Sequence, residues 1–163
     1  METDQVADNV LARLERRLAD AGVPFDVVRH EPVYTSQQAA AVRGTSLSSG
    51  AKALVCKADD NFCLFVLPAD RKLASKQVRQ QHGWKSLRFA NPEEVERITG
   101  LAPGSIPPFG SLFGLRTYCD RLLADERTVN FNAGDHSVSI SMSVQDYLAV
   151  ESPELTTLTE ATP

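Results

Sequence analysis

The chain has 163 residues, 42% of them hydrophobic and 23% charged, proportions ordinary for a globular domain that buries a core without disulfides or metals. Its formal net charge of −4 excludes a protein that coats nucleic acid by bulk electrostatics. The N-terminus is too polar for a signal peptide, and no apolar run approaches the roughly 20 residues of a membrane span. We therefore expect a cytoplasmic protein that binds neither membrane nor DNA, with Cys56, Cys63 and Cys119 reduced.

The first half of the chain alternates helical and extended patterns. An apolar stripe of Val6, Val10, Leu14 and Leu18 predicts an amphipathic first helix that stops at Gly22. Further on, two apolar runs separated by Asp and Asn residues predict a hairpin whose strands are covered on both faces. In chain order we expect a helix over 4–21, a strand over 23–29, a helix capped by Thr35 or Ser36 and ending at Gly44, strands over 51–58 and 62–67, and a helix capped by Ser75 and running to about His82.

The second half predicts four more strands, two helices and one irregular segment. The expected elements are a strand over 86–89, a helix over 92–99 capped by Asn91, an irregular segment over 101–114, strands over 115–118, 128–132 and 137–142, and a last helix capped by Ser143. Helices that interleave with hairpins predict an α+β domain over residues 1–150, with a mixed, curved central β-sheet flanked by helices. Residues 151–163 are acidic and rich in Ser, Thr and Pro, so we expect a flexible tail there.

Charge is unevenly distributed along the chain. The stretch from Arg71 to Pro92 holds six basic residues and no acidic one. Such a stretch can steer phosphates toward a site, and it is equally typical of a solvated face.

Lys52 is the first residue with a potential chemical role. It opens a strand that should be apolar, and lysine is seldom buried without a partner. Either it is a cation that points into a cleft to hold a phosphate or carboxylate, or it is a lysine at a strand end that reaches water.

A glycine- and proline-rich loop and two histidines are the other candidates. The loop from Gly104 to Gly110 could expose backbone N–H groups to an anion or to water, or it could be a rigid connection. His30 and His136 could bind substrate or hold structure. The sequence lacks a GxSxG elbow, a P-loop, an HExxH motif and a Cys/His metal cluster, so we expect no cofactor and no metal.

Together these segments resemble the YbaK/ProX family, the prolyl-tRNA synthetase-associated or INS-type editing domain. The resemblance spans roughly residues 8–150, in the family's order. It is carried by His30–Pro32, the short helix to Gly44, the strand lysine Lys52, the loop Gly104–Pro108, and the turn Ala133–Gly134.

The resemblance implies a mixed sheet flanked by helices and a small pocket for the aminoacyl group on a tRNA 3′ end. Members hydrolyse mischarged tRNA, several of them tRNA for proline that carries a small wrong amino acid. It implies catalytic roles for Lys52, which would hold the substrate, and for Gly104, whose loop would polarise the ester and place water. It implies a substrate-binding set of Val28, His30, Thr35, Ser105, Pro108, Phe109, Gly110, Gly134, His136 and Ser139. The implied partners are the acceptor end of aminoacyl-tRNA and, as a candidate, prolyl-tRNA synthetase.

Two departures leave the amino acid open among Ala, Cys, Ser and Thr. Ala53 follows Lys52 where an asparagine is common in alanine-editing members, and Ser139 and Ser141 stand where some cysteine-clearing members carry an acid. Two other functions also stay open: a non-catalytic module that binds a synthetase or an amino-acid-like ligand, and a hydrolase with a cysteine nucleophile.

Overall fold

The computed structural model describes residues 2–160, with side chains from residue 9 onward, so the predicted stripe position Val6 lies outside the described side chains. Within this part of the chain there are six α-helices and one short 3-10 turn. The helices are α1 (Glu2–Asp20), α2 (Ser36–Arg43), α3 (Ser75–His82), α4 (Pro92–Thr99), α5 (Arg121–Ala124) and α6 (Val144–Glu151), and the 3-10 turn covers Gly110–Phe113.

Local capping chemistry explains where α2 and α4 begin and end. The Thr35 hydroxyl accepts a hydrogen bond from the Gln38 amide at 3.1 Å, and Gly44 ends α2 in the left-handed conformation at φ 68°. Asn91 and Glu94 form a reciprocal capping box at the start of α4. Both predictions are confirmed, whereas Ser75 is the first residue of α3 rather than its cap.

Eight strands in the described residues form two sheets. Their bounds are β1 (Phe25–Arg29), β2 (Ala51–Ala58), β3 (Asn61–Pro68), β4 (Leu87–Phe89), β5 (Arg116–Asp120), β6 (Thr128–Asn132), β7 (Val138–Ser143) and β8 (Glu154–Thr156). The smaller sheet has the order β1-β7-β6 and is antiparallel, and the larger has the order β4-β2-β3-β5-β8. The β3–β5 and β5–β8 pairs are parallel, so the larger sheet is mixed.

The predicted α+β class with mixed strand pairing is confirmed, but the strands form two sheets where one was expected. A parallel bridge between Gly50 and Asn130 joins them. The main core lies between the sheets and against α1, whose Val10, Leu14 and Leu18 are buried. The hairpin β2–β3 is covered on both faces, as its apolar runs predicted.

The prediction of a flexible tail is wrong for residues 151–160. β8 pairs with β5, and Leu158 is completely buried. The Asp120 carboxylate accepts hydrogen bonds from the Leu158 amide at 2.8 Å and from the Thr159 hydroxyl at 3.1 Å. The polar composition of this segment gave no sign that Leu158 enters the core or that the Thr159 hydroxyl bonds the buried Asp120 carboxylate. Residues 161–163 lie outside the described residues.

Candidate functional site

A pocket of about 320 Å³ opens where the two sheets meet. The start of β2, the end of β6, the helix α2 and the loop around Gly104 form its walls. Its polar lining consists of Tyr34, Thr35, Ser36, Arg43, Lys52, Asn132 and His136. In the described part of the chain, the residues that line the pocket include two cations and no acid, so the pocket suits an anionic ligand.

Lys52 lies on the pocket wall and is half-buried at the start of β2. Burial lowers the pKa of its ammonium group, because the charged form loses hydration. Asp70 raises that pKa and Lys72 lowers it, so the turn after β3 lies close enough to influence the site. Lys52 is thus a half-buried cation on the pocket wall.

Arg43, the last residue of α2, is the second cation of the pocket. Its Nε donates to the Ser139 hydroxyl at 2.8 Å, and its Nη2 donates to the Asn132 side-chain oxygen at 3.0 Å. Burial lowers the pKa of this guanidinium to about 10, which leaves it charged at neutral pH. Within residues 9–160 no carboxylate forms a salt bridge with it. A partly buried cation with only neutral hydrogen-bond partners is a feature typical of functional sites.

Asn132 links Arg43 to the glycine loop. Its amide nitrogen donates to the Gly104 carbonyl oxygen at 2.7 Å. Arginine can only donate and a carbonyl can only accept, so these two contacts fix which end of the Asn132 amide is which. The Ser105 amide in the same peptide unit donates to the Ala102 carbonyl at 3.2 Å. Both polar groups of this peptide unit are therefore held in place.

Gly104 has a conformation and a neighbourhood that favour glycine. Its φ is +89°, and a Cβ atom there would lie 3.1 Å from Cε1 of His136. In the described residues its N–H makes no hydrogen bond, so this donor remains free for a ligand. Gly134, at φ 97°, supports the loop from behind by donating its N–H to the Ser105 carbonyl at 2.8 Å.

The two predicted histidines lie on either side of the site. The Nδ1 of His136 is 3.1 Å from the Val33 carbonyl, so this nitrogen carries the proton and Nε2 can accept one. The Nδ1 of His30 lies 2.8 Å from the Glu31 carbonyl, which gives the same tautomer, and its Nε2 accepts from the Ser139 hydroxyl at 2.7 Å. His30 and Ser139 thus reach the pocket through Arg43.

The structure places only Thr35, Lys52, Gly104 and His136 of the predicted site residues on the pocket wall. Pro108, Phe109 and Gly110 are buried in the core instead. Phe109 packs edge-on against Tyr147 at 5.1 Å, and the Tyr147 hydroxyl donates to the Pro108 carbonyl at 2.6 Å. A Cβ atom at Gly110 would collide with the Thr117 hydroxyl, so close packing requires glycine there.

Val28 and Ser105 also lie away from the pocket wall. Val28 is 41% exposed and pairs with Ser139 across β1 and β7. Ser105 is buried, and its hydroxyl donates to the Ala102 carbonyl at 2.8 Å. These contacts give both residues a supporting position.

The comparison with known protein families decides the class of this domain. The model of the aminoacyl-tRNA editing domain matches residues 30–150, which include the pocket walls. The chain belongs to the aminoacyl-tRNA editing domain family. The predicted resemblance is therefore confirmed.

Several relatives share this editing domain. The chain is 37% identical over 148 residues to the multifunctional Ser/Thr-tRNA deacylase ProXp-y of Escherichia coli K12, a match that covers 88% of this chain and 89% of the relative. It is 31% identical over 132 residues to the proline–tRNA ligase of Shouchella clausii, covering 79% of this chain and 23% of the ligase. A crystal structure of a candidate trans-editing enzyme for prolyl-tRNA synthetase superposes with a TM-score of 0.84 at 27% identity, covering 96% of this chain and 98% of the other.

The thiols of this editing domain are poor nucleophiles. Cys56, Cys63 and Cys119 are all buried in the core, and none lines the pocket. Burial raises the pKa of the Cys63 and Cys119 thiols to about 12, and that of Cys56 further. A thiolate is the reactive form, so a cysteine mechanism has no support here.

Two further features bear on metals and membranes. Among the described side chains no group of three His, Cys, Asp or Glu residues is close enough to hold a metal ion. None of the helices within residues 2–160 has both the length and the apolar character needed to cross a bilayer.

Sequence reasoning missed Arg43 and Asn132. A basic residue in the last turn of a helix ordinarily complements the helix dipole, so Arg43 gave no separate signal. Asn132 ends β6, whose sequence TVNFN alternates polar and apolar residues, so one more polar residue at the strand end gave no separate signal. Only the tertiary structure brings the two together.

Proposed function

We propose that this editing domain hydrolyses the ester between tRNA and a small hydroxylated amino acid, serine or threonine. Two observations support this substrate. The E. coli relative, 37% identical along most of both chains, is named a Ser/Thr-tRNA deacylase. The pocket, at about 320 Å³, lies at the small end of the ligand-site range.

The observation that carries the proposal is the convergence of a cleft cation and an oriented peptide on one pocket. Lys52 would hold a phosphate of the terminal nucleotide, since the lining of the pocket in the described residues includes no acid to oppose it. The ester would then lie at Gly104, where the N–H has no other partner within residues 2–160 and can donate to the developing oxyanion.

The proposed reaction needs no covalent intermediate. Water attacks the ester carbonyl carbon, the bond from this carbon to the ribose oxygen breaks, and the water proton ends on the ribose oxygen. The Gly104 carbonyl has a second lone pair beside its bond to Asn132 and can orient the water. The Nε2 of His136 is free to accept the proton in transit.

Specificity for a hydroxyl would come from Thr35. Its Oγ already accepts from the Gln38 amide, so its own O–H is free to donate to the serine or threonine hydroxyl. Ala39 and Ala53 line the same pocket and leave room for the threonine methyl group. A site built to bond a hydroxyl rejects analogues that lack it.

The test is a panel of tRNAs charged with serine, threonine, alanine, cysteine and proline, with release of the amino acid measured against buffer hydrolysis. We expect the fastest release from seryl- and threonyl-tRNA. Slow release of serine and threonine with fast release of alanine would contradict the hydroxyl preference and leave the editing reaction intact.

We further propose that prolyl-tRNA synthetase is a partner. The match to a proline–tRNA ligase supports this, because the same type of domain occurs within that enzyme. Addition of the synthetase should accelerate deacylation of mischarged tRNA for proline. An unchanged rate would leave the chain an independent enzyme.

A further inference from the structure

Tyr34 is an exposed aromatic residue in the irregular segment between β1 and α2. It is 73% exposed, while its neighbour Val33 is 4% exposed. Tyr34 also lines the pocket, so its ring stands at the rim rather than on a distant surface. The ring is therefore accessible to a ligand that occupies the pocket.

The position of the Tyr34 ring is fixed by its contacts. It packs on the His136 ring with centroids 4.8 Å apart and an interplanar angle of 39°. Hydrogen bonds fix both residues: the Val33 amide donates to the His136 carbonyl at 3.0 Å, the His136 ring bonds the Val33 carbonyl, and the Tyr34 amide donates to the Gln38 side chain at 2.9 Å. The pair is a preorganised aromatic surface, with most of Tyr34 left uncovered.

This surface adjoins the proposed reaction centre. The Cε1 of His136 lies where a Cβ of Gly104 would nearly touch it, so Gly104, His136 and Tyr34 follow one another from the pocket to its rim. In aminoacyl-tRNA the ester and the terminal base are attached to the same ribose. An ester at Gly104 therefore leaves the base within one nucleotide's reach of Tyr34.

We propose that the Tyr34–His136 pair is a binding site for a purine nucleobase, the terminal adenine of the tRNA, which stacks on the exposed ring of Tyr34. This inference rests on the proposed function for the position of the ester. Single-stranded nucleic-acid ends are recognised in this way, because every base has a face that stacks on an aromatic ring. The site needs no sequence-specific hydrogen bond, which suits a base common to all tRNAs.

The test measures the binding of adenosine 5′-monophosphate and of ribose 5-phosphate to the protein by NMR titration. The two probes share the ribose and phosphate and differ in the base. Stacking is worth about 1–3 kcal/mol per base, so the wild-type protein should bind adenosine 5′-monophosphate at least about fivefold more tightly. Tyr34→Ala should remove this preference and Tyr34→Phe should retain it.

Phe89→Ala is the matched control. Phe89 is another exposed aromatic residue, at 56%, but it lies on β4 and does not line the pocket. Its removal should leave both dissociation constants unchanged. Equal affinity for the two probes in the wild-type protein, including failure of both to bind, overturns the proposal, as does unchanged preference in Tyr34→Ala.

The same preparation separates this proposal from the proposed function. Hydrolysis of seryl-tRNA by a protein that shows no base preference would leave the deacylase standing without the stacking site. A base preference without hydrolysis of any charged tRNA would leave a nucleotide site without the enzyme.

Discussion

Lys52 and Lys57 lie on the same strand and differ in what surrounds them. Lys52 lines the pocket, whereas Lys57 pairs with the ring of Phe62 at 5.5 Å outside it. Lys52→Ala should lower kcat/KM for seryl-tRNA by about 10- to 150-fold, since a hydrogen bond to a charged group contributes about 1.5–3 kcal/mol. Lys57→Ala should leave it within about twofold. Equal losses in the two variants, measured by amino-acid release, would contradict the role of Lys52.

Gly104 and Gly83 both have a positive φ, but they differ in what surrounds an added side chain. A side chain at Gly83 would meet open space, and one at Gly104 would approach His136. Both Gly→Val variants should lose about 1 kcal/mol or more of stability from the backbone conformation. Only Gly104→Val should also lose about 2.7–4 kcal/mol of transition-state stabilisation, a hundredfold or more in rate.

Rate per folded molecule and melting temperature, measured on both glycine variants, distinguish the two effects. A Gly104→Val protein that melts early and retains its rate per folded molecule would reduce the loop to a structural connection.

The sequence alone pointed to individual residues of the candidate site better than to their arrangement in space. Lys52 stood out because an apolar strand does not ordinarily carry a lysine, and Gly104 because the loop around it is rich in glycine and proline. Phe109 and Gly110 belong to the same loop by sequence, yet they face the core, because the loop turns away from the pocket after Ile106. Which side of an irregular segment faces a ligand is a tertiary property without a periodic signal.

At the scale of elements, Arg43 at the end of α2 and Asn132 at the end of β6 hold the loop around Gly104 in place. The planar guanidinium donates to Ser139 and to Asn132 from two different nitrogens, and a lysine lacks this rigid, planar arrangement of donors. We expect Arg43→Lys and Asn132→Ala each to lower kcat by about tenfold or more, with little change in KM, because they act on the orientation of Gly104.

The double variant measures whether these two residues act as one unit. Arg43→Lys combined with Asn132→Ala should be less impaired than the product of the single effects, with a coupling energy of about 0.5–3 kcal/mol. Full additivity, or a loss confined to KM, would show that the two side chains act separately.

The element β8 and the residues after it tie the C-terminal segment to the larger sheet. Leu158→Ala should lower the free energy of unfolding by about 2–5 kcal/mol, because the side chain is completely buried. Leu155→Ala removes the same atoms from a side chain that is 37% exposed and should cost less. Urea denaturation compares the two, and equal small losses would show that this segment does not pack in solution.

Secondary structure was predictable wherever capping residues and periodicity agreed, as in α2, α4 and the β2–β3 hairpin. The division into two sheets could not be predicted, because strand order depends on pairings between residues distant in the sequence, such as those of β1 with β7. The prediction of a flexible C-terminal tail failed for a related reason. Its composition resembles a solvated tail, and the buried carboxylate of Asp120 that anchors it lies 38 residues away in sequence.

At the scale of the whole molecule, a net charge of −4 coexists with a pocket whose charged lining is entirely cationic. This distribution suits an enzyme that captures one end of a nucleic acid rather than its length. Contact would be confined to the acceptor terminus, where the phosphate, the ester and the base meet Lys52, Gly104 and Tyr34.

The most direct measurement is release of serine from seryl-tRNA by the purified chain alone, with excess chelator and no synthetase present. We predict hydrolysis well above the buffer rate and unchanged by the chelator, since in the proposed mechanism the pocket's own groups orient the water and polarise the ester. Failure to release serine, threonine or any other amino acid would contradict the proposed reaction. Release that stops with chelator and returns only with zinc would contradict its mechanism.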